Sequence, residues 1–125
     1  MRGFKDLLAY QKAFDLAMEI FMITKSFPKE ETYSLTDQIR RSSRSVCANL
    51  AEAYRKRSYL KHFLLKVTDC QMENSETEVW LDFSLECKYI TEDKHTELLE
   101  LNDEVGKLLY HIYNNPNKYG VSEKE

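Results

Sequence analysis

Glycine and proline are scarce in this chain of 125 residues, with three of the first and two of the second. A sheet protein needs turn residues at roughly every 8 to 12 positions, so this scarcity excludes one and leaves room for a few long helices. No run of about 18 apolar residues occurs, which leaves no candidate membrane span. Lys12 and Asp15 interrupt the N-terminal stretch where a secretory leader would need unbroken apolar sequence, so no leader is expected. Cys47, Cys70 and Cys87 are odd in number and widely spaced within helical patterns. They read as small buried or half-buried thiols in a reducing cytoplasm rather than as a disulfide frame.

Chemistry-bearing patterns are equally thin. There is no Gly-rich phosphate loop, no CxxC and no Ser/His/Asp signature, and His62, His95 and His111 fall on three separate segments. Glu92 and His95 form one ExxH unit, whereas di-iron bundles need that unit twice together with two more inward Glu residues. The pair therefore reads as an acidic helix start beside a surface histidine. No enzymatic activity, metal, cofactor or small-molecule substrate is expected.

What the chain does have is polarised charge. The net charge is -3, but residues 40–66 hold eight basic groups against Glu52 alone, a net of +7, while residues 67–125 sum to -9. Apolar residues at 42% and charged residues at 31% suit one ordered domain that buries a core without staples.

Periodicity predicts four helices, near 6–26, 34–56, 59–89 and 92–114. In the first, Leu7, Tyr10, Phe14, Ala17, Phe21 and Thr24 form one stripe at steps of three and four. Pro28 ends it. Ser34 is the expected cap of the second, whose core stripe is Leu35, Ile39, Ser42, Val46, Leu50 and Ala53. Ser58 is the expected cap of the third, where Leu60, Phe63, Leu64, Val67 and Cys70 give way to polar Asn74 and Thr77 before Leu81 and Leu85. Thr91 opens the fourth, with a seam of Leu98, Leu101, Val105, Leu108 and Ile112. Short connections between long helices make sequential neighbours antiparallel, so the expected fold is an all-α, up-down-up-down four-helix bundle over residues 1–119 with a frayed tail at 120–125.

Two constellations on the second helix each admit two readings. Gln38, Arg41, Ser45, Asn49 and Glu52 share one face. That face is either simply solvated or, since Ser and Asn are poor mid-helix formers, a polar layer buried against Asn74 and Thr77 of the third helix that fixes register. Arg40, Arg44, Arg55, Lys56, Arg57 and Lys61 form a basic run with Tyr54 and Tyr59 interleaved. It suits the phosphates of RNA or DNA, or alternatively the acidic helices of the same or a neighbouring subunit.

The segment QIRRSSRSVCANLAEAYRKRS resembles the four-helix bundle family of 23S ribosomal RNA intervening-sequence proteins. Phe4, Asp6 and Leu7 match that family's opening F-x-D-L, and Phe27, Pro28 and Glu31 its F-P-x-x-E. Gln38, Arg40, Arg41, Ser45, Asn49, Ala51, Glu52 and Arg55 match its central motif, with Glu76-Thr77 and Tyr89-Ile90 matching later positions. Ala53 departs from a usual Gly, and Cys70-Gln71 from Gly-Ser. The resemblance spans about residues 4–113. It implies a bundle of no assigned activity, related to the accessory variability protein of diversity-generating retroelements, a ring-shaped pentamer that binds nucleic acid.

Apolar residues in excess of one stripe point to self-association. Leu16, Ile20, Ile23 and Phe27 on the first helix, and Met72, Val79 and Phe83 on the third, are the expected contacts. The alternative is a core wide enough to absorb them. Stripes on different helices imply a head-to-tail contact that closes into a ring. That the ring is a homopentamer is implied by the resemblance alone.

Overall fold

The computed structural model describes residues 3–122. Among these residues there are four α-helices and no strand: α1 Leu8–Thr24, α2 Leu35–Arg55, α3 Leu60–Glu86 and α4 Glu92–Asn114. Short 3-10 turns at Phe4–Asp6, Lys29–Glu31 and Pro116–Tyr119 flank them. α3 runs through Asn74 without a break.

Each helix packs on its sequence neighbours, and α1 closes the ring against α4. Cross-helix partners show the directions. Arg41, Asn49 and Glu52 of α2 meet Glu76, Lys66 and Lys66 of α3, so contacts advance along one helix as they retreat along the other. Asp82 with His95 and Asn74 with Asn102 do the same for α3 and α4, and Lys12 reaches Glu104 at 2.8 Å between α1 and α4. The all-α four-helix bundle is the observed fold.

Local chemistry explains the ends. Thr91 Oγ1 accepts the Lys94 amide at 3.1 Å and caps α4. At α2 the Ser34 hydroxyl and the Glu31 carboxylate both accept from the Leu35 amide, at 2.6 and 3.2 Å. Ser58 does not cap α3. Tyr59 occupies that position without a side-chain bond, and the Ser58 carbonyl instead accepts from Ser122 Oγ at 2.8 Å. α3 closes in a Schellman turn: Tyr89 N–H bonds Ser84 O, Lys88 N–H bonds Leu85 O, and Lys88 lies at φ 64°.

The core is two apolar clusters separated by a polar layer. One cluster centres on Ala13, Val46, Leu50, Phe63, Val67 and Leu109, the other on Leu16, Ile20, Ile39, Leu81 and Leu98. Between them Ser42 Oγ bonds Thr77 Oγ1 at 2.8 Å, and Asn74 and Asn102 bond one another. All four residues are buried. Gly106 permits this approach of α3 to α4, since a Cβ there would lie 2.9 Å from Asn74 Oδ1.

Four expectations are corrected here. The buried face of α1 runs through Ala9, Ala13, Leu16, Ala17, Ile20 and Thr24, because its alanines let neighbouring helices come close. Phe14 of the expected stripe is consequently 48% exposed. Leu16, Ile20 and Phe27 therefore belong to the core and cannot contact a second copy, while Ile23 is half-buried against the second cluster. On α4 the buried line is Leu98, Asn102, Val105, Leu109 and Ile112, with Leu101 and Leu108 at its margin. Residues 120–122 are not frayed: the Ser122 amide bonds Arg57 O at 2.9 Å and Val121 packs on the first cluster. The rest of the expected tail, 123–125, lies outside the described residues.

Candidate nucleic-acid interface

α2 presents two faces of functional interest, and packing decides what each does. Its polar stripe meets α3 at the bundle rim. Arg41 pairs with Glu73 and Glu76, and Glu76 also accepts from Trp80 Nε1 at 3.2 Å. The Arg41 guanidinium is pushed up in pKa: burial opposes its charge, but the two carboxylates outweigh that. Lys66 answers Asn49 at 3.4 Å and Glu52 at 2.8 Å, and the Glu52 bond raises its pKa. Asn49 also donates to Ser45 O at 3.0 Å, and Gln38 faces Arg41 at 3.5 Å.

The stripe is thus neither idle surface nor buried layer. Arg41 and Glu52 are exposed and Gln38, Ser45 and Asn49 half-buried; Arg41, Asn49 and Glu52 form a rim clamp from α2 to α3, and Gln38 and Ser45 contact Arg41 and Asn49 within α2. The buried layer expected of them is supplied one position round the helix by Ser42, with Thr77, Asn74 and Asn102.

The basic run divides into two groups. Arg40 and Arg44 lie on the α1 side, their guanidinium carbons 4.8 and 5.6 Å from the centroid of Phe21. Lys25 approaches the same ring at 4.9 Å, so Phe21, expected in the core, is a half-buried platform for three cations. Arg40 is further pinned by its Nε bond to Thr24 Oγ1 at 2.8 Å. The second group sits where α2 turns into α3. Arg55 and Lys56 are exposed, Arg57 stacks 3.6 Å from the centroid of Tyr54 while donating to Tyr54 O, and Lys61 stands exposed on the first turn of α3. From Arg40 to Arg55 the helix rises about 22 Å.

A surface depression accompanies each group. A groove of about 450 Å³ is lined by Thr32, Thr36, Arg40, Arg41, Arg44 and Ser45 among others. A cleft of about 630 Å³ lies against Phe4, Lys5, Asp6, Tyr54, Arg55 and Arg57. Neither gathers catalytic groups, and among the described residues no three His, Cys, Asp or Glu side chains converge as metal ligands. His95 of the ExxH pair turns to Asp82 at 2.8 Å. Burial pushes the Cys47 and Cys70 thiols up to about 11 and about 12, well away from nucleophilic use.

The family model described as 23S rRNA-intervening sequence protein matches residues 5–111. The chain belongs to that family. A protein of unknown function from the S23 ribosomal protein family of Bacteroides thetaiotaomicron VPI-5482, solved by crystallography, superposes with a TM-score of 0.79. It is 30% identical, and the match covers 88% of this chain and 98% of that one. No protein of curated function matches.

The geometry also shows what the family-like positions do in this chain. Phe27 packs on Tyr89 with ring centroids 5.2 Å apart, and Glu31 accepts from Ser34, Leu35 and Tyr89 together. Arg41, Glu76, Asn49 and Glu52 form the rim clamp, and Thr77 joins the polar layer. Most of the motif holds helices in register. Arg55 is left exposed among cations, while Arg40 lies half-buried over Phe21 beside Arg44 and Lys25.

Proposed function

We propose that this member of the family is a non-enzymatic helical bundle that binds RNA or DNA through the basic face of α2 and its turn into α3. The observation that carries the reading is the anchoring of the guanidiniums on aromatic rings: Arg40 and Arg44 over Phe21, and Arg57 over Tyr54. Cations held in place before binding lose less entropy when they meet phosphate. The strongly acidic remainder of the chain repels a polyanion and so orients it onto this face. Filter binding of RNA and DNA at low and moderate salt tests the idea. Retention should fall steeply with salt and should drop in an Arg44→Gln, Arg55→Gln, Lys56→Gln variant. Retention that ignores salt, or none at all, shifts the reading to a protein scaffold.

Self-association is the second part of the proposal. Phe14, Met18 and Met22 stand exposed at steps of four along α1, and Leu65, Met72, Val79 and Phe83 along α3, with Met72 64% exposed. α1 and α3 are diagonal in the bundle, so these stripes face different directions and suit a head-to-tail ring rather than a two-fold dimer. We infer a homopentamer, a number that rests on the family resemblance alone. Free thiols at Cys47, Cys70 and Cys87 support a cytoplasmic setting. Light scattering coupled to size exclusion decides the assembly: a mass near the 14.8 kDa of one chain ends the idea, and twice that keeps an interface without the ring.

A further inference from the structure

The apolar surface that the bundle leaves uncovered comes in two shapes. One is a groove of about 410 Å³ between α1 and α2, walled by Phe4, Tyr10, Phe14 and Met18 and floored by small residues such as Cys47 and Ala48. Phe14 stacks on Tyr10 with centroids 6.1 Å apart, and Tyr10 meets Phe4 edge-on at 5.1 Å, so the wall is a continuous row of rings. The other shape is a ridge on α3. Met72, Val79 and Phe83 follow at steps of seven and four, share one face of the helix, and are 46–64% exposed. Phe83 leans on Trp80 at 5.9 Å, and Trp80 is tied to Glu76, so the outermost ring of the ridge is held in place.

Charge says what seats in the groove. Arg44 stands exposed at its edge, steadied by the ring of Phe21. Glu86 stands exposed three residues beyond Phe83, on the face of the ridge and at the end of α3. Arg41 and Lys66 find carboxylates within the chain, as do Glu73 and Glu76 a cation. Among the described residues no carboxylate pairs with Arg44 and no cation pairs with Glu86. The groove thus carries an unanswered positive charge and the ridge an unanswered negative one. They cannot meet within one molecule, because α1 and α3 are diagonal in the bundle and the ridge faces outward. A second copy of the chain supplies both the shape and the charge that each lacks.

We propose that the α1–α2 groove receives the α3 ridge of a second copy, with Phe83 set against Phe14 and Met18 and Glu86 on Arg44. This rests on the self-association reading and adds to it which surfaces meet and which residues hold them. Every copy carries one groove and one ridge, so the contact is head-to-tail. Arg44 is then shared between the neighbouring copy and a polyanion, whereas Arg55 and Lys56 stay clear of the contact.

Sedimentation equilibrium of the full chain over a range of concentrations reads the dissociation constant. Wild type should assemble. Phe14→Ser and Phe83→Ser should each weaken assembly at least about tenfold, as the loss of an aromatic anchor from a desolvated contact does. Arg44→Glu and Glu86→Arg should each weaken it about tenfold, and the chain carrying both should return to within about threefold of wild type, because the pair is then reversed rather than lost. All four residues lie on the surface of the single chain, and circular dichroism melts check that each variant keeps its fold. Tyr110→Ser, at an exposed position of α4 outside both surfaces, should leave assembly unchanged.

The outcomes separate this contact from self-association in general. Wild-type assembly that ignores Phe14→Ser and Phe83→Ser overturns the groove-and-ridge contact and leaves self-association standing. So does a double charge reversal that assembles no better than the single ones. A wild type that keeps the mass of one chain at every concentration ends both readings.

Discussion

Asn74 and Asn102 bond each other in both directions across α3 and α4. Asn74 Nδ2 donates to Asn102 Oδ1 at 2.9 Å and to Asn102 O at 3.2 Å, while Asn102 Nδ2 donates to Asn74 O at 3.1 Å. Both side chains are buried, so each is the other's replacement for water. Truncating either one removes the 2.9 Å bond between the side chains and leaves the other amide only the backbone carbonyl opposite it. Asn102→Ala should therefore cost about 2–3 kcal/mol in urea unfolding, and adding Asn74→Ala should cost less than the sum of the singles. Additive losses would show that the pair is not coupled.

Gly106 tests the same contact from the backbone side. In an exposed helix, Gly→Ala gains about 1 kcal/mol from propensity. Here the new Cβ would sit 2.9 Å from Asn74 Oδ1, on a side chain whose Nδ2 is already committed to two hydrogen bonds. Gly106→Ala should destabilise the native chain and turn stabilising in an Asn74→Ala background, where that oxygen is gone. Thermal melts of the four proteins show whether the sign changes.

How far the sequence revealed this layer depended on contrast. Asn74 and Thr77 interrupt an otherwise apolar stripe on α3 and were legible as a polar step. Ser42 was hidden as a small residue in a core stripe, and Asn102 because Leu101 and Leu108 offered an equally regular apolar line one residue earlier. The face of α1 was misread for a related reason: the mass of Phe14 and Phe21 outweighed Ala9 and Ala13, although alanines are what close helix approach selects. The four helices themselves were clear because long 3.6-residue periodicity is a local signal. The role of Phe21 beneath Arg40 and Arg44 had no local signal at all, since only tertiary packing joins α1 to α2 there.

Lys88 occupies the left-handed position of the α3 Schellman turn at φ 64°. An L-residue pays a steric penalty there that glycine avoids, partly offset by the larger backbone entropy glycine loses on folding. Lys88→Gly should raise stability by about 0.5–1 kcal/mol without altering the bundle. Equal or lower stability in chemical denaturation would mean that the lysine side chain contributes something its backbone cost conceals.

Glu31 and Tyr89 join the start of α2 to the α3–α4 turn through a 2.9 Å bond from the phenol to the carboxylate. Bonds from Ser34, then Tyr89, then the Leu35 amide hold the Glu31 carboxyl below its usual 4.5. A depressed carboxyl contributes stability above its unfolded pKa and loses it as pH falls through the lower, folded value. The Tyr89 phenol moves the other way: its bond to Glu31, burial and the nearby negative charge push it up to about 12 from 10.0. A raised phenol contributes stability below its unfolded pKa, which is then lost as pH climbs from about 10 to about 12. Melting temperature against pH should fall at both ends in wild type. Glu31→Gln should flatten the acid limb and shrink the alkaline one, while Tyr89→Phe should abolish only its own alkaline share and leave most of the acid limb, because Ser34 and Leu35 still bond the carboxylate. If Tyr89→Phe reproduces the wild-type alkaline limb, other tyrosines set it and this contact contributes nothing to the pH response.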